Sequence, residues 1–448
     1  MRISRIAVYG LFARFNHDLT FDPSERITIM YGPNGFGKTM ILRIIDVLFN
    51  SSPLSLGRMP FEELHVHFDD ESRLSVVRSP DKSSPKLSFV TAAQQTHSYV
   101  PESLSRAQEA AFTERAIGEY VPDLVKAGPS EWQNVYTGEV FDSSDVLVTY
   151  ADQFPIDLEI SKLKFPPWLE DIRASLPVRF IDTERLIDIK RPANFSSYGH
   201  TVQHQRFFSR TIPERTIRRN SDKLASMIKQ TLAEYANLSQ SLDRSFPARF
   251  VEVPASEQLS KEQLARDLED VENRRSEIVS AGLLPQEHAS SIMPDIDSID
   301  ESKRSVLAVY TQDAKKKLDV FDGLNARANA FVRIANARLL YKKVSVSQDG
   351  LKVSNSDGSD LELEMLSSGE QHEIVLLFDL LFETEKNSLI LVDEPELSLH
   401  VAWQRQMLED LQKMAELSDF RALLATHSPQ IIGNRWDLTI ELQGPDRE

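Results

Sequence analysis

The sequence predicts an α/β protein: a mixed sheet flanked by helices, interrupted by an inserted helical lobe. Three observations predict it. A short apolar, β-branched run at residues 26–30 leads into a glycine-rich loop and then into apolar residues at helical spacing. Two further short apolar runs, 388–392 and 423–426, each end in chemically reactive side chains. Between these two halves the chain carries long helix-patterned stretches without low-complexity composition or a clear repeat.

In chain order, Arg26-Ile27-Thr28-Ile29-Met30 reads as a buried strand, and Ile41, Leu42, Ile44, Ile45, Leu48 and Phe49 read as the apolar face of a helix. Residues 62–78 alternate, with Leu64, Val66 and Phe68 against Leu74 and Val76, and predict a hairpin turning at Asp69-Asp70-Glu71. The Ser-, Pro- and Thr-rich stretch 79–100 reads as a loop. Residues 101–126 and 156–176 look helical, joined by a polar linker bearing aromatic residues, and Pro177-Val178-Arg179-Phe180-Ile181 reads as a strand. Residues 221–246 place Leu224, Met227, Ile228, Leu232, Tyr235, Leu238 and Leu242 on one helix face. Residues 259–280 and 301–341 continue the helical patterning, with 281–300 as the turn at the tip of a short coiled-coil or helical lobe. The expected division is 1–100 and 342–448 as two parts of one head, 101–176 as a helical insertion, 177–200 as a return strand and 201–341 as the lobe.

The loop Gly32-Pro33-Asn34-Gly35-Phe36-Gly37-Lys38-Thr39 fits G-x-x-x-x-G-K-[ST] between a strand and a helix, the context that motif requires. Glycines at 32, 35 and 37 let backbone N–H groups converge on phosphate oxygens, and a helix N-terminus adds its positive end. Asn34, Gly35, Gly37, Lys38 and Thr39 are thus the expected nucleotide contacts. Lys38 would charge-pair the β- and γ-phosphates, and Thr39 would offer its hydroxyl to Mg²⁺. Asp393-Glu394 ends the 388–392 run. On its own such a pair equally signals a helix start. Downstream of a phosphate loop it reads as Asp393 on the metal and Glu394 as the general base toward water. His427 ends the 423–426 run, where an imidazole can reach a γ-phosphate.

These segments, with Leu366-Ser367-Ser368-Gly369-Glu370, resemble the ABC-type ATPase head in the branch shared by SMC proteins and the overcoming-lysogenization-defect (OLD) nucleases. The resemblance covers about the first 90 and the last 110 residues. It implies an ATPase that uses ATP and Mg²⁺. It also implies that Ser367 and Gly369 contact the γ-phosphate held by Lys38 of a second copy, so that two heads sandwich the nucleotide. Ser368 stands where the family's L-S-G-G-Q/E pattern has its first glycine, and Glu396-Leu397-Ser398-Leu399-His400 lacks the usual aspartate. Ile3-Ser4-Arg5-Ile6-Ala7-Val8-Tyr9 through Leu19-Thr20-Phe21 look like the antiparallel strands on the adenine side of such heads. Asp182-Thr183-Glu184-Arg185 resembles an OLD-like segment near the nucleotide, with Arg185 a phosphate or interface contact or else a structural ion pair. Gln203 and Gln205 are the candidates for the family's Q-loop glutamine. The C-terminal segments look closest to the stand-alone ATPase subunits of the PARIS and Septu anti-phage systems.

Composition bounds the function. A chain of 448 residues suits about two domains, and 41% hydrophobic content suits a globular one. No run reaches the ~18–20 apolar residues of a membrane helix, and no signal segment is recognisable, so a cytoplasmic chain with no membrane partner is expected. With no cysteine, a Cys-x-x-Cys hook is excluded. The net charge of −17 argues against non-specific tracking along DNA. Two basic clusters break the average: Arg206, Arg210, Arg215, Arg218 and Arg219 after His200 and His204, and Lys315-Lys316-Lys317. They read as a solvated helix face or carboxylate partners, or as a contact for nucleic acid or an acidic protein. No separate acidic cluster offers a nuclease centre. The expectation is a sensor ATPase, a homodimer or larger oligomer, that controls a separately encoded nuclease effector in anti-phage defence and answers a phage protein or nucleic-acid trigger. The competing expectation is an SMC-like repair or chromosome-associated ATPase that clamps DNA.

Overall fold

The computed structural model describes residues 1–51, 56–57, 59–78, 85–101, 117–118, 121, 124–128, 131–135, 140–142, 146, 166–182, 208–252, 260–285, 301–397 and 401–444. They divide into two compact units, Met1–His200 with Glu385–Glu448, and Thr201–Thr384.

The first unit begins with the antiparallel hairpin β1 (Ile3–Leu11) and β2 (Phe15–Thr20). Next come β3 (Ile27–Tyr31) and α1 (Lys38–Asn50). The expected hairpin at 62–78 is β4 (Glu63–Phe68) and β5 (Arg73–Val77), with Leu64, Val66, Phe68, Leu74 and Val76 all buried. Within the stretch 79–100, expected as a loop, the described residues include two more strands, β6 (Lys86–Val90) and β7 (Thr96–Tyr99). Leu87 and Phe89 alternate inward there, a two-residue signal hidden among serines. These strands complete a six-stranded antiparallel sheet, β2-β1-β4-β5-β6-β7.

A second correction falls at 124–142. Where a helix is expected to run to 126, residues 124–126 are a strand, and the described residues from there to 142 form a small meander of β8 (Leu124–Lys126), β9 (Glu131–Asn134) and β10 (Val140–Asp142). Trp132 and Leu124 anchor it in a minor core with Ile117, Val121 and Val146. Helix α2 (Pro167–Ser175), started by a proline whose missing N–H costs nothing there, and β11 (Val178–Asp182) return the chain to the main core.

The second unit contains α3 (Phe208–Glu252), α4 (Lys261–Ser280), α5 (Glu301–Asp319) and α6 (Asp322–Arg338). The single helix expected over 301–341 is two, broken at Val320-Phe321, where Phe321 turns inward against Tyr235 with ring centroids 5.4 Å apart. An apolar stripe that keeps helical spacing across a short turn looks like one helix in sequence. Lys315 pairs with Asp267 at 2.9 Å and Lys317 with Asp243 at 2.8 Å, and Arg218 pairs with Glu364, so part of both basic clusters is spent inside this unit. A meander of β12 (Lys342–Ser347), β13 (Gly350–Asn355) and β14 (Asp360–Leu361) leads to α7 (Ser368–Phe378). This meander and residues 366–370 group with the helices of the second unit, whereas the sequence division assigned everything from 342 to the head.

The chain then re-enters the first unit as β15 (Leu389–Asp393), α8 (Val401–Ser418), β16 (Arg421–Thr426) and β17 (Thr439–Glu441). A five-stranded, wholly parallel sheet results, ordered β11-β15-β16-β3-β17. Its strands are continuous apolar runs because helices and the other sheet cover both faces. One core cluster joins Val8, Leu64 and Val76 of the antiparallel sheet, Ile41, Ile44 and Leu48 of α1, and Leu391 and Leu423 of the parallel sheet. Among the described residues no helix is long and apolar enough to cross a membrane. Glu184, Arg185, His200, Gln203, His204, Gln205, Arg206, Ser398 and His400 lie outside the described residues, as do the side chains of Arg210 and Arg215.

Candidate active site

Parallel strands end on one edge of their sheet, so the segments leaving β3, β15 and β16 must meet. The register makes the meeting close: Asp393 faces Ala425 across β15–β16, and Thr426 faces Tyr31 across β16–β3. With β16 in the middle, His427 lies between the phosphate loop and the carboxylates.

The loop is held by glycine geometry. Gly35 (φ +84°) and Gly37 (φ +86°) adopt left-handed conformations that side chains resist. At Gly37 a Cβ would also come within 2.4 Å of Leu11 Cδ2. Gly37 caps α1 without any side-chain hydrogen bond, and no acidic residue sits in the first turn. The helix therefore presents its orphan N–H groups and positive end to an incoming anion. His17 fixes the loop from below: its Nε2–H donates to the Phe36 carbonyl at 2.9 Å, and burial holds its pKa below the usual value against that bond. Sequence reading missed His17, whose only signal is a polar residue on the inward face of a strand.

Lys38 is almost fully buried and uses all three N–H donors, on the Gly32 carbonyl (2.7 Å), the Pro33 carbonyl (3.0 Å) and His427 Nδ1 (3.1 Å). Burial lowers its pKa, with the carboxylates of Glu394, Asp393 and Glu396 pulling the other way. A carboxylate can only accept, so the His427 Nε2–H donates to Glu394 Oε1 at 2.7 Å, while Nδ1 lies beside both Lys38 Nζ and, at 3.3 Å, the Gly32 carbonyl. A chain Lys38–His427–Glu394 thus spans the site. Thr39 Oγ1 donates to Asp393 Oδ1 at 3.1 Å.

Glu394 sits at φ +41°, a left-handed backbone for a non-glycine residue, fixed by its N–H donating to the Ala425 carbonyl at 2.8 Å. Glu396 is a second residue that sequence reading left without a role. Its Oε1 accepts from the Thr426 hydroxyl (2.7 Å) and from the His427 backbone N–H (3.0 Å), and so sets where the imidazole stands. A cavity of about 250 Å³ is lined by Phe12, Asn34, Gly35, Gly37, Lys38, Thr39, Met40 and Glu394. Phe12 reaches it from the left-handed turn after β1, a placement no local motif announces.

Asn34, Gly35, Gly37, Lys38, Thr39, Asp393, Glu394 and His427 are therefore gathered in the first unit. Ser367 and Gly369 lie in the second, at the N-terminus of α7. Ser367 is the N-cap there, in a reciprocal capping box with Glu370.

Two kinds of relative surround this chain. The DNA replication and repair protein RecF of Pseudomonas fluorescens is 48% identical over 48 residues, and that of Chlorobium luteolum 49% over 45. Each match spans only 12% of the RecF chain and 11% or 10% of this one. Among solved structures, the Smc head domain of Pyrococcus furiosus bound to the C-terminal domain of ScpA aligns over 97% of this chain and 91% of its own, at 12% identity and a TM-score of 0.34. The SMC head domain of Thermotoga maritima aligns over 99% and 95%, at 10% identity and 0.33. Likenesses at that level add nothing to what the topology establishes. A phosphate loop after β3, carboxylates after β15, an intervening strand and a neighbouring antiparallel sheet make an ABC-type P-loop ATPase head. The model of the AAA ATPase domain family matches residues 1–432, nearly the whole chain, and the protein belongs to that family of ATPases.

Proposed function

We propose that this chain is a regulatory Mg-ATPase that works as a pair of copies and governs a separately encoded toxic effector, a nuclease, in anti-phage defence. The hydrolytic half of the reading is supported by one observation above all. Lys38 and Thr39 at the start of α1, Asp393 and Glu394 at the end of β15, and His427 after β16 meet within hydrogen-bonding distance on one sheet edge.

In this reading the γ-phosphate displaces His427 Nδ1 as an acceptor of Lys38. His427, released from Lys38, turns an N–H toward the phosphate, and Glu394, released from His427, takes the proton of the attacking water. The donor set suits Mg²⁺, which favours one or two carboxylates with substrate phosphates over an all-protein cage: here one hydroxyl and one carboxylate oxygen, 3.1 Å apart. Bound there, the ion would neutralise charge on the β- and γ-phosphates. Ser367 and Gly369 would close the site from a second copy, which links nucleotide state to assembly and lets an effector be held in one state and freed in the other.

The resemblance to PARIS- and Septu-type ATPases, with a net charge of −17 that weighs against tracking along DNA, supports the defence reading, in a cytoplasmic setting without a membrane. The trigger would be a phage protein or a nucleic-acid structure. The second reading, an SMC-like repair or chromosome-associated ATPase, draws on the local match to the DNA replication and repair protein RecF. One experiment separates them. The gene is expressed with and without its neighbours, as wild type and Glu394→Gln, under phage challenge and under DNA damage. Protection that needs both a neighbour and an intact Glu394 supports defence. Protection by this gene alone, or indifference to Glu394, overturns it, and damage sensitivity without a phage phenotype selects repair.

A further inference from the structure

The turn before α7 contains a charge problem that the fold answers with one residue. Ser367 is expected to donate to a phosphate, yet its Oγ–H donates to Glu370 Oε2 at 2.8 Å, and its backbone N–H donates to the same oxygen at 2.7 Å. A bare carboxylate so close would repel the anion and hold the hydroxyl proton. The same Oε2 also receives Lys342 Nζ, from the first residue of β12, at 2.7 Å. Both side chains of that pair are about four-fifths buried, so solvent screens it only in part. Burial pushes the Glu370 carboxyl upward, and the bonds from Lys342 and Ser367 more than offset this, so its pKa lies below the usual value. Glu370 is ionised, and its charge is answered from β12.

The surroundings fit a face that meets another molecule. Leu340 and Tyr341, the two residues before Lys342, and Met365, just before the Leu366-Ser367 turn, are 72%, 82% and 69% exposed. Only Val251 is comparably exposed among the large apolar side chains described. Tyr341 holds a left-handed φ of +62°, with its carbonyl tied to the Ser356 N–H at 2.9 Å. That strained residue delivers the next one, Lys342, to Glu370.

We infer that Lys342 is a positioning residue of the hydrolysis reaction: by pairing with Glu370 it makes the Ser367–Gly369 turn receptive to the γ-phosphate carried by a second copy of this chain. This rests on the two-copy reading above. Lys342 does not touch the nucleotide. It takes the carboxylate's charge, and the Ser367 hydroxyl can then exchange its acceptor from Glu370 to a phosphate oxygen while the Lys342–Glu370 pair stays in place.

The test is a charge-rescue series in the full-length chain. Lys342→Met should lower the steady-state ATPase rate by about tenfold, the scale of one charge-assisted hydrogen bond. Nucleotide affinity, measured with a fluorescent ATP analogue at protein concentrations too low for pairing, should stay at the wild-type value, because the phosphate loop is intact. Lys342→Met with Glu370→Gln should recover most of the rate, since the unpaired charge is gone and glutamine is the alternative in the L-S-G-G-Q/E pattern. Lys342→Arg should also work. Melting temperature is followed throughout. If Lys342→Met turns over ATP like wild type, or if Glu370→Gln fails to rescue it while both variants melt normally, the role of Lys342 is overturned. Ser367→Arg is the separate control. If it hydrolyses ATP normally, the two-copy reading itself fails, whatever Lys342 does.

Discussion

At the scale of single residues, the chain Lys38–His427–Glu394 makes the sharpest claims. Glu394→Gln keeps the shape and removes the proton acceptor. It should bind ATP with wild-type affinity and hydrolyse it about 10²–10⁴-fold more slowly, the span of a general base. Lys38→Ala should lose nucleotide binding in the same equilibrium assay. Glu396→Gln should lower turnover by about tenfold with little change in nucleotide affinity, because it loosens only the seat of His427; a change in affinity without a change in turnover would refute that role. His17 makes the acid side of stability predictable. Its folded pKa is depressed, so its contribution is whole above the unfolded value of about 6.5 and is lost as pH falls through the folded pKa. His17→Gln keeps an N–H for the Phe36 carbonyl and cannot titrate, so urea midpoints measured between about pH 7 and pH 5 should fall less steeply than in wild type. The phosphate loop, Asp393, Glu394 and His427 were legible in sequence because each ends a short apolar run. His17, Glu396 and Phe12 were not, because they act through partners distant in the chain.

Elements were legible wherever one periodicity ran unbroken. The apolar face of α1 is an example: Ile44 is fully buried in the core that both sheets share. Ile44→Ala should cost about 2–5 kcal/mol by removing buried methyl groups and leaving a cavity, measurable as a lowered denaturant midpoint at unchanged slope. Elements were lost where polar residues masked alternation, as in β6, or where strands were only three or four residues long, as in β8 to β10. The break between α5 and α6 escaped for the opposite reason: the apolar spacing carries straight through it, and only the burial of Phe321 betrays the turn.

For the whole molecule, pairing should make activity depend on concentration. Specific ATPase rate should rise with protein concentration and then level off. Lys38→Ala mixed with Ser367→Arg should recover at most one working site per pair, and a rate per chain independent of dilution would sink the paired mechanism. The strand order of the parallel sheet also bears on how the protein comes into being. β3 is made long before both of its neighbours: it ends at Tyr31, whereas β16 begins at Arg421 and β17 at Thr439. At ribosomal rates of about 5–20 residues per second, Ile27, Ile29 and Met30 wait roughly 20–80 s for a strand to pair with. The phosphate loop can therefore have no seat on a growing chain, and a polypeptide stalled before Arg421 should stay open to protease at its N-terminal region and gain no protection from ATP. Synthesis past Glu441 should bring both at once. Early protection on the stalled chain would mean that α1 and the antiparallel sheet hold β3 ready without its neighbours.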